Sequence, residues 1–153
     1  MNQELKQLLD SIKQEFANLN GAPPPPNTNE QITRLGDEAK RELGIAPPAS
    51  FLEFLRAVGA LGWGNIVIYD GTLIDSIYYP GKQMTRFVEY NLIARDVPDN
   101  ENILQFGSNG NIDLYAQNLV SGKFERLDYT SLSLDTDYPD FDSMMIDTLK
   151  GKI

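Results

Sequence analysis

Hydrophobic positions in the first part of the chain recur at the spacing of an amphipathic helix. Apolar residues at intervals of three and four predict three helices, over residues 4–19, 29–43 and 50–58. Thr28 with Gln31 and Ser50 with Glu53 match the capping-box pattern, in which each side chain bonds the backbone of the other residue. The second and third helices are therefore expected to begin at these pairs, and Gly44 is placed to end the second one.

From about residue 60 the apolar pattern changes to alternation and short apolar runs, which are typical of strands. The runs predict strands over residues 64–70, 73–79, 103–107, 112–117 and 123–129. The first two strands are expected to be joined near Gly71, and Asn109-Gly110 supplies the tight turn between the third and the fourth. Helical spacing returns at residues 84–92. An Asp-rich loop then leads to a short last helix with one apolar face, formed by Phe141, Met144, Met145 and Leu149.

This order of elements predicts an α+β fold, in which N-terminal helices precede an antiparallel or partly mixed β-sheet that helices cover on one side. We divide the chain into an N-terminal amphipathic helix (residues 1–21), a proline-rich connector (22–28) and a single α+β domain (29–153). The four consecutive prolines of the connector favour an extended polyproline spacer. They also match a PxxP ligand, but no basic residues flank them.

Two absent residue types restrict the chemistry. The 153 residues include no cysteine and no histidine. Zinc-finger ligand sets, disulfides, Cys-His pairs and Ser-His-Asp triads are therefore excluded. The sequence has no glycine-rich phosphate-binding motif, and we predict no cofactor and no metal site. Catalysis would depend on Asp, Glu, Lys, Tyr or Ser, and these residues form no catalytic signature, so we expect that the chain is not an enzyme.

The charge of the chain is negative and unevenly distributed. Its 13 Lys and Arg residues and 22 Asp and Glu residues give a net charge of −9. Residues 96–149 contain 11 of the acids and only two bases, Lys123 and Arg126, so this segment alone has a net charge of −9. Phosphates would be repelled, which argues against nucleic-acid or membrane binding and favours a basic protein partner. The N-terminus has no signal-peptide pattern, and a cytoplasmic location is expected.

The most conspicuous local feature is the segment DTDYPDFD, in which four carboxylates occur in eight residues. Asp135, Asp137, Asp140 and Asp142 do not form an EF-hand loop, because the turn residue and the bidentate Glu of that motif are missing. One interpretation is a solvated loop whose Asp140 caps the last helix. The other is an acidic patch that docks a basic protein, with Tyr138 supplying contact area and the carboxylates steering the partner.

Three further residues are candidates on weaker grounds. Trp63, which lies between two glycines, is expected to be a core anchor rather than a ligand platform. Asp113 and Tyr115 alternate with Ile112 and Leu114 on a predicted strand, so they are expected to share the face opposite the core. There they would be either ordinary outward positions or part of a partner-binding surface.

Taken in order, several short motifs resemble the SUKH superfamily, which joins bacterial polymorphic-toxin immunity proteins with fungal cell-wall assembly regulators. The motifs are LGIAPP at 43–48, FLEFL at 51–55, ILQFG at 103–107, NG at 109–110, DLY at 113–115, SGKF at 121–124 and Phe141 with its helix. Val58-Gly59 stands where Asn-Gly is usual, and Ala46 intrudes before Pro47. The resemblance covers residues 30–150, and it includes the first helix if the YrhA-like branch is the one matched.

The resemblance implies an α+β fold and a binding role, commonly the neutralisation of a cognate toxin by direct occlusion. It provides no catalytic residues and does not identify the toxin. We therefore expect a non-enzymatic immunity protein with candidate partner-binding residues Asp113, Tyr115, Asp135, Asp137, Tyr138, Asp140 and Asp142. A cellular scaffold or regulator of the same fold is the alternative among binding proteins. A carboxylate-dependent hydrolase that uses Asp113 or residues 135–142 is the alternative from another class.

Overall fold

The computed structural model describes residues 1–152, which form five α-helices and eight strands. The helices are α1 (Gln3–Asn18), α2 (Asn29–Glu38), α3 (Ala49–Val58), α4 (Arg86–Arg95) and α5 (Phe141–Leu149). The strands are β1 (Leu61–Trp63), β2 (Ile66–Ile68), β3 (Leu73–Asp75), β4 (Gln83–Thr85), β5 (Ile103–Asn109), β6 (Asp113–Asn118), β7 (Phe124–Asp128) and β8 (Leu134–Tyr138). A π-helical turn, Ala39–Leu43, continues α2, and a 3-10 turn, Asn100–Asn102, precedes β5. Ile153, the last residue of the predicted domain, lies outside the described residues.

The start of α2 confirms the predicted capping box. Thr28 Oγ1 accepts from the Gln31 N–H at 3.1 Å, and Gln31 Oε1 accepts from the Thr28 N–H at 2.8 Å. Gly44 ends the helical segment at φ 73°, a conformation that glycine adopts without a steric penalty. The capping box predicted for α3 is wrong. That helix begins directly after Pro48, whose extended backbone precedes it, so Ser50 already lies inside the first turn.

The sheet is antiparallel and helices cover one of its faces, which confirms the predicted fold class. Six strands pair in the order β1-β2-β5-β6-β7-β8, and β3 pairs with β4 in a separate two-stranded sheet. The turn predicted at Asn109-Gly110 joins β5 to β6, with Gly110 at φ 54°. The neighbouring strands β2 and β5 are joined by a long segment of chain that contains β3, β4 and α4.

The pairing predicted for residues 64–79 is wrong. The chain turns at Gly64-Asn65, so β2 pairs with β1 on one side and with β5 on the other. Gly71 is a packing position instead of a hairpin turn, because a Cβ there would lie 3.1 Å from Asn27 Oδ1 and 3.3 Å from the Gln31 carbonyl oxygen. Its N–H donates to Asn27 Oδ1 at 2.9 Å. The strands in this part of the chain are three residues long, and such a length is too short to show alternation in a sequence.

The core lies between the helices and one face of the six-stranded sheet. Aromatic rings form its centre: the ring centroid of Phe51 is 4.9 Å from those of Phe87 and Phe106 and 5.6 Å from that of Phe141. All four of these side chains are fully buried. Rings of this size supply much of the apolar area that a domain removes from water.

Helix α1 packs on the same core through three buried side chains, Leu5, Leu9 and Ile12. Near the end of the helix, the Phe16 ring packs on Trp63 with a centroid distance of 5.1 Å. Trp63 packs against the core, as predicted, while remaining partly exposed. The first helix and the rest of the chain therefore share one core.

Helix α4 is held at the edge of β5 by a buried asparagine. β2 pairs only with residues 107–109 of β5. Further along the strand, the Asn91 side chain takes the place of a neighbouring strand. Its Nδ2 donates to the Gln105 carbonyl at 2.9 Å, and its Oδ1 accepts from the Gln105 N–H at 2.8 Å. This contact fixes one side of α4 against the sheet, while Tyr90 and Ile93 on other sides of the helix remain exposed.

Candidate partner-binding surface

The first half of the Asp-rich segment is strand β8 and not the predicted loop. Asp135 Oδ2 accepts from Arg126 Nε at 2.7 Å, and Asp137 Oδ2 accepts from Lys123 Nζ at 3.0 Å. Arg126 also donates to Asp147 Oδ2 at 3.0 Å. Aspartate has a low β-propensity, so pairing with β7 and these ion pairs decide the strand. Both bases of residues 96–149 are thus engaged within the chain.

The second half of the segment starts the last helix. Asp140 Oδ1 accepts from the Ser143 N–H at 2.7 Å, which confirms the interpretation of Asp140 as the cap of α5. Asp142 Oδ2 accepts from the backbone N–H of Asn2 and so links α5 to the start of α1. Each of the four carboxylates of the segment therefore has a partner inside the molecule.

The two aromatic candidates are buried, which corrects the expectation that Tyr115 faces away from the core and the interpretation in which Tyr138 supplies contact area. Tyr138 is 8% exposed, and its hydroxyl donates to Asp147 Oδ2. Tyr115 is 2% exposed in the main core, and burial raises its pKa to about 12. Neither ring offers contact area to a partner. Asp113 is partly exposed and accepts from Asn109 Nδ2 at 3.4 Å.

The face of β6 was difficult to assign from the sequence because both of its faces are apolar. Tyr115 points into the main core, so Leu114 and Ala116 point to the other side of the sheet. There they belong to a second buried cluster, completed by Leu127, Ile103 and Leu132. This cluster consists of strand and loop residues, and the second face therefore has a thin cover instead of a helical layer.

A groove of about 320 Å³ opens beside this second cluster, between α4, the sheet and the loop after β7. We call it the tyrosine groove. Three tyrosines, two amides, one threonine and apolar side chains line it, among them Tyr69, Tyr90, Tyr129, Asn100, Gln105 and Thr130. The rings of Tyr69 and Tyr90 are stacked, with centroids 4.4 Å apart and planes inclined by 20°.

Exposed apolar side chains border the groove. Tyr90, Ile93 and Val97, on and just after α4, are all exposed, as is Tyr129 after β7. Single exposed apolar residues are ordinary on a protein surface, but several around one groove are typical of an interaction site. The spacing of residues 90, 93 and 97 is a helical stripe in the sequence, and this signal could have identified the outward face of α4.

The groove is polar at several points but its lining, as far as the chain is described, contains no charged residue. Burial raises the pKa of the Tyr69 hydroxyl, and Tyr129 and Tyr90 add to this effect, so the hydroxyl is protonated at neutral pH. Asn100 Nδ2 donates to the Ala94 carbonyl at 2.9 Å. Its Oδ1 is buried and has no hydrogen-bond partner among the described residues.

The β3–β4 loop contacts α4 at Glu89 and exposes two further apolar side chains. Ile77 is 71% exposed and Tyr79 is 45% exposed. Ser76 Oγ accepts from the N–H groups of Tyr78 and Tyr79 at 3.1 and 2.9 Å, and Glu89 Oε1 accepts from the Ile77 N–H at 2.6 Å. A loop that is already held in one conformation loses less entropy on binding.

Comparison with known proteins gives no assignment, because no protein-family model matches the chain and no curated protein matches it significantly. The SUKH resemblance remains a prediction from the sequence motifs. Among residues 1–152, no group of three or more potential ligand side chains is arranged to hold a metal ion. In the same residues, no helix has both the length and the apolar content of a membrane span.

Proposed function

We propose that this chain is a non-enzymatic immunity protein that neutralises a cognate toxin in the cytoplasm of the producing cell by occluding the active cleft of the toxin. The observation that carries the binding role is the tyrosine groove with the exposed side chains of Tyr90, Ile93 and Val97 beside it. Tyrosine is enriched at protein interfaces, because its ring buries a large area and its hydroxyl bonds to the partner. The choice of a toxin as partner rests on the SUKH-like motifs of the sequence.

The charge of the chain supports a basic partner. Lys123 and Arg126, the two bases of residues 96–149, are paired with Asp137 and Asp135. The excess carboxylates of this segment produce a negative field. Such a field raises the rate at which a basic protein meets the surface, while buried aromatic contacts determine how long it stays bound. Toxin domains that act on nucleic acids have basic active sites and fit this description.

A carboxylate-dependent hydrolase is less well supported. Such an enzyme needs a pocket with two carboxyl groups at a fixed separation, one of which has a raised pKa. Asp135 and Asp137 are instead in ion pairs at the sheet edge, and Asp140 caps a helix. The tyrosine groove, for its part, is lined by no carboxylate among the described residues.

The test is whether the purified chain binds and inhibits the product of the neighbouring gene, which we expect to be the toxin. We expect a stoichiometric complex by light scattering and complete loss of toxin activity at one equivalent. The double variant Tyr90→Ala/Val97→Ala should weaken the complex at least about tenfold, as the loss of interface hot spots does. The matched control Ile112→Ala/Val120→Ala also removes two exposed apolar side chains and should keep wild-type affinity.

Three outcomes would count against parts of this proposal. Absence of a complex at micromolar concentrations would overturn the immunity function. A complex that leaves the toxin active would favour the scaffold or regulator alternative. Equal affinities of the two double variants would place the interface elsewhere, with the exposed Ile77 and Tyr79 as the next surface to change.

A further inference from the structure

The lining of the tyrosine groove restricts the charge of what it can bind. An anion would find no cation there, because none of its lining residues in the described chain is Lys or Arg. The nearby Arg86 lines a different groove, which shares only Tyr69 and Tyr90 with the tyrosine groove. Its Nε lies 3.8 Å from Asp70 Oδ1. The electron-rich faces of aromatic rings attract cations.

Asn100 gives the groove an acceptor that lacks a donor. The Ala94 carbonyl can only accept, so the hydrogen bond from Nδ2 fixes the orientation of the Asn100 amide and leaves Oδ1 as the unpaired atom. Asn100 itself is 6% exposed. A buried acceptor without a donor is unfavourable, and a donor that enters the groove and reaches Asn100 relieves this cost.

The remaining polar groups of the groove can also pair with a ligand that donates. The hydroxyl groups of Tyr69, Tyr90 and Tyr129 form no hydrogen bond within the described chain, and Gln105 bonds there only through its backbone. Each offers oxygen lone pairs to a donor. The groove volume of about 320 Å³ is at the lower end of the range for ligand pockets, and it suits one side chain rather than a whole cofactor.

We infer that the tyrosine groove receives an arginine side chain of the partner, an inference that rests on the proposed function. A guanidinium group is planar, stacks on aromatic rings and has several N–H donors and no acceptor, which matches a site of rings and unpaired acceptors. Lysine is a more strongly hydrated point charge and cannot stack. An apolar side chain would leave Asn100 unpaired. The net charge of −9 attracts a basic surface to the site.

The experiment is an NMR titration of the full chain with N-acetyl-arginine amide as the probe. We expect saturable shifts at the side-chain amides of Asn100 and Gln105 and at the rings of Tyr69, Tyr90 and Tyr129. The citrulline analogue has nearly the same shape but no charge, and it should bind at least about fivefold more weakly. The lysine analogue should also bind more weakly than the arginine probe, and the glutamate analogue should produce no saturable shift.

Two variants separate ring recognition from general charge attraction. Tyr90→Leu removes a groove ring and should weaken probe binding about fivefold, whereas Tyr90→Phe should keep most of it. Tyr79→Leu is the matched control, because Tyr79 is similarly exposed but lies outside the groove. It should leave the titration unchanged.

The inference is overturned if the probe gives no saturable shift in the groove, if citrulline binds equally well, or if the shifts occur at Asp135 and Asp137 instead. Its failure is distinguishable from failure of the proposed function. If a toxin complex forms and depends on Tyr90 but the arginine probe does not bind, the proposed function stands and the arginine inference fails. If the arginine probe binds saturably but no toxin complex forms, the arginine site stands and the proposed immunity function fails.

Discussion

Gly107, in the middle of the sheet, has no room for a side chain. A Cβ there would lie 2.1 Å from the Val67 carbonyl oxygen, whereas no atom lies within 4 Å of the corresponding position at Gly36 in α2. We expect Gly107→Ala to lower the free energy of unfolding by about 3 kcal/mol or more, because backbone has to move. Gly36→Ala should raise it by about 0.5–1 kcal/mol, because alanine favours the helix and restricts the unfolded chain.

Urea unfolding followed by circular dichroism measures both changes. A wild-type midpoint for Gly107→Ala would show that β2 is not held tightly against β5. A loss of stability for Gly36→Ala would show that the π-helical turn after α2 requires glycine at this position.

Buried polar side chains determine where elements of this fold meet. Asn91 bonds both backbone groups of Gln105, and Asn27 Oδ1 accepts from the Gly71 N–H. Glu38 Oε2 accepts from the Thr85 N–H at 2.8 Å. In the sequence these residues are indistinguishable from surface Asn and Glu, because their partners are distant backbone groups. Their roles could therefore not be predicted.

At the scale of elements, the buried side chains of α1 form part of the main core. Leu9 is 1% exposed, whereas Leu19, at the end of the same helix, is 72% exposed. We expect Leu9→Ala to lower the free energy of unfolding by about 2–5 kcal/mol, because it leaves a cavity. Leu19→Ala should change it by less than about 0.5 kcal/mol. Thermal and urea unfolding of both variants provide the measurement.

Equal stabilities of the Leu9 and Leu19 variants would contradict the docking of α1. The fixed position of this helix follows from several contacts besides its buried leucines. Lys150 Nζ lies 3.0 Å from Glu4 Oε1, and the Phe16 ring packs on Trp63. The variants therefore test the packing of one element and leave its polar contacts in place.

Helices and long strands were predictable, whereas short and edge strands were not. The helices α1 to α3 and the strands β5 to β7 repeat their pattern often enough to be recognised. β1 and β4 have three residues each, and β8 alternates aspartate with other residues. These strands form because a neighbour supplies hydrogen bonds and ion pairs, and such support is absent from the local sequence.

At the scale of the whole molecule, burial of tyrosines should couple stability to alkaline pH. Burial raises the pKa of Tyr115 to about 12, above an unfolded value of about 10. Between these values the folded state holds a proton that the unfolded state has lost, so stability is retained below about pH 10 and falls as the pH rises further. The chain contains no histidine, so we expect little change in stability between about pH 6 and 8.

Urea unfolding midpoints at neutral pH and between about pH 10 and 12 measure the loss of stability, and tyrosine absorbance at 295 nm follows the ionisation. The variant Tyr115→Phe should lose less stability than the wild type between about pH 10 and 12, by up to about 1.4 kcal/mol per pKa unit of difference. Identical slopes for the two proteins would show that Tyr115 ionises freely in the folded state.

The candidate site belongs to this largest scale. Tyr69 follows β2, Tyr90 lies on α4, Gln105 on β5 and Tyr129 after β7. The groove exists because Asn91 fixes α4 at the edge of β5 and the loop after β7 folds over the second face. The sequence prediction placed the partner surface at the acidic segment instead, because consecutive charges are visible in a sequence and a groove between four elements is not.

The sequence alone determined the residue chemistry, the negative charge, the positions of the main helices and central strands, and the cap at Asp140. These properties depend on composition or on contacts within a few residues. Only the tertiary structure decided that Tyr115 and Tyr138 are buried, that Leu114 faces a second cluster, and that a tyrosine groove opens beside it. A strand with apolar residues on both faces has no preferred inward side until its neighbours pack, so strand pairing and helix placement make that choice.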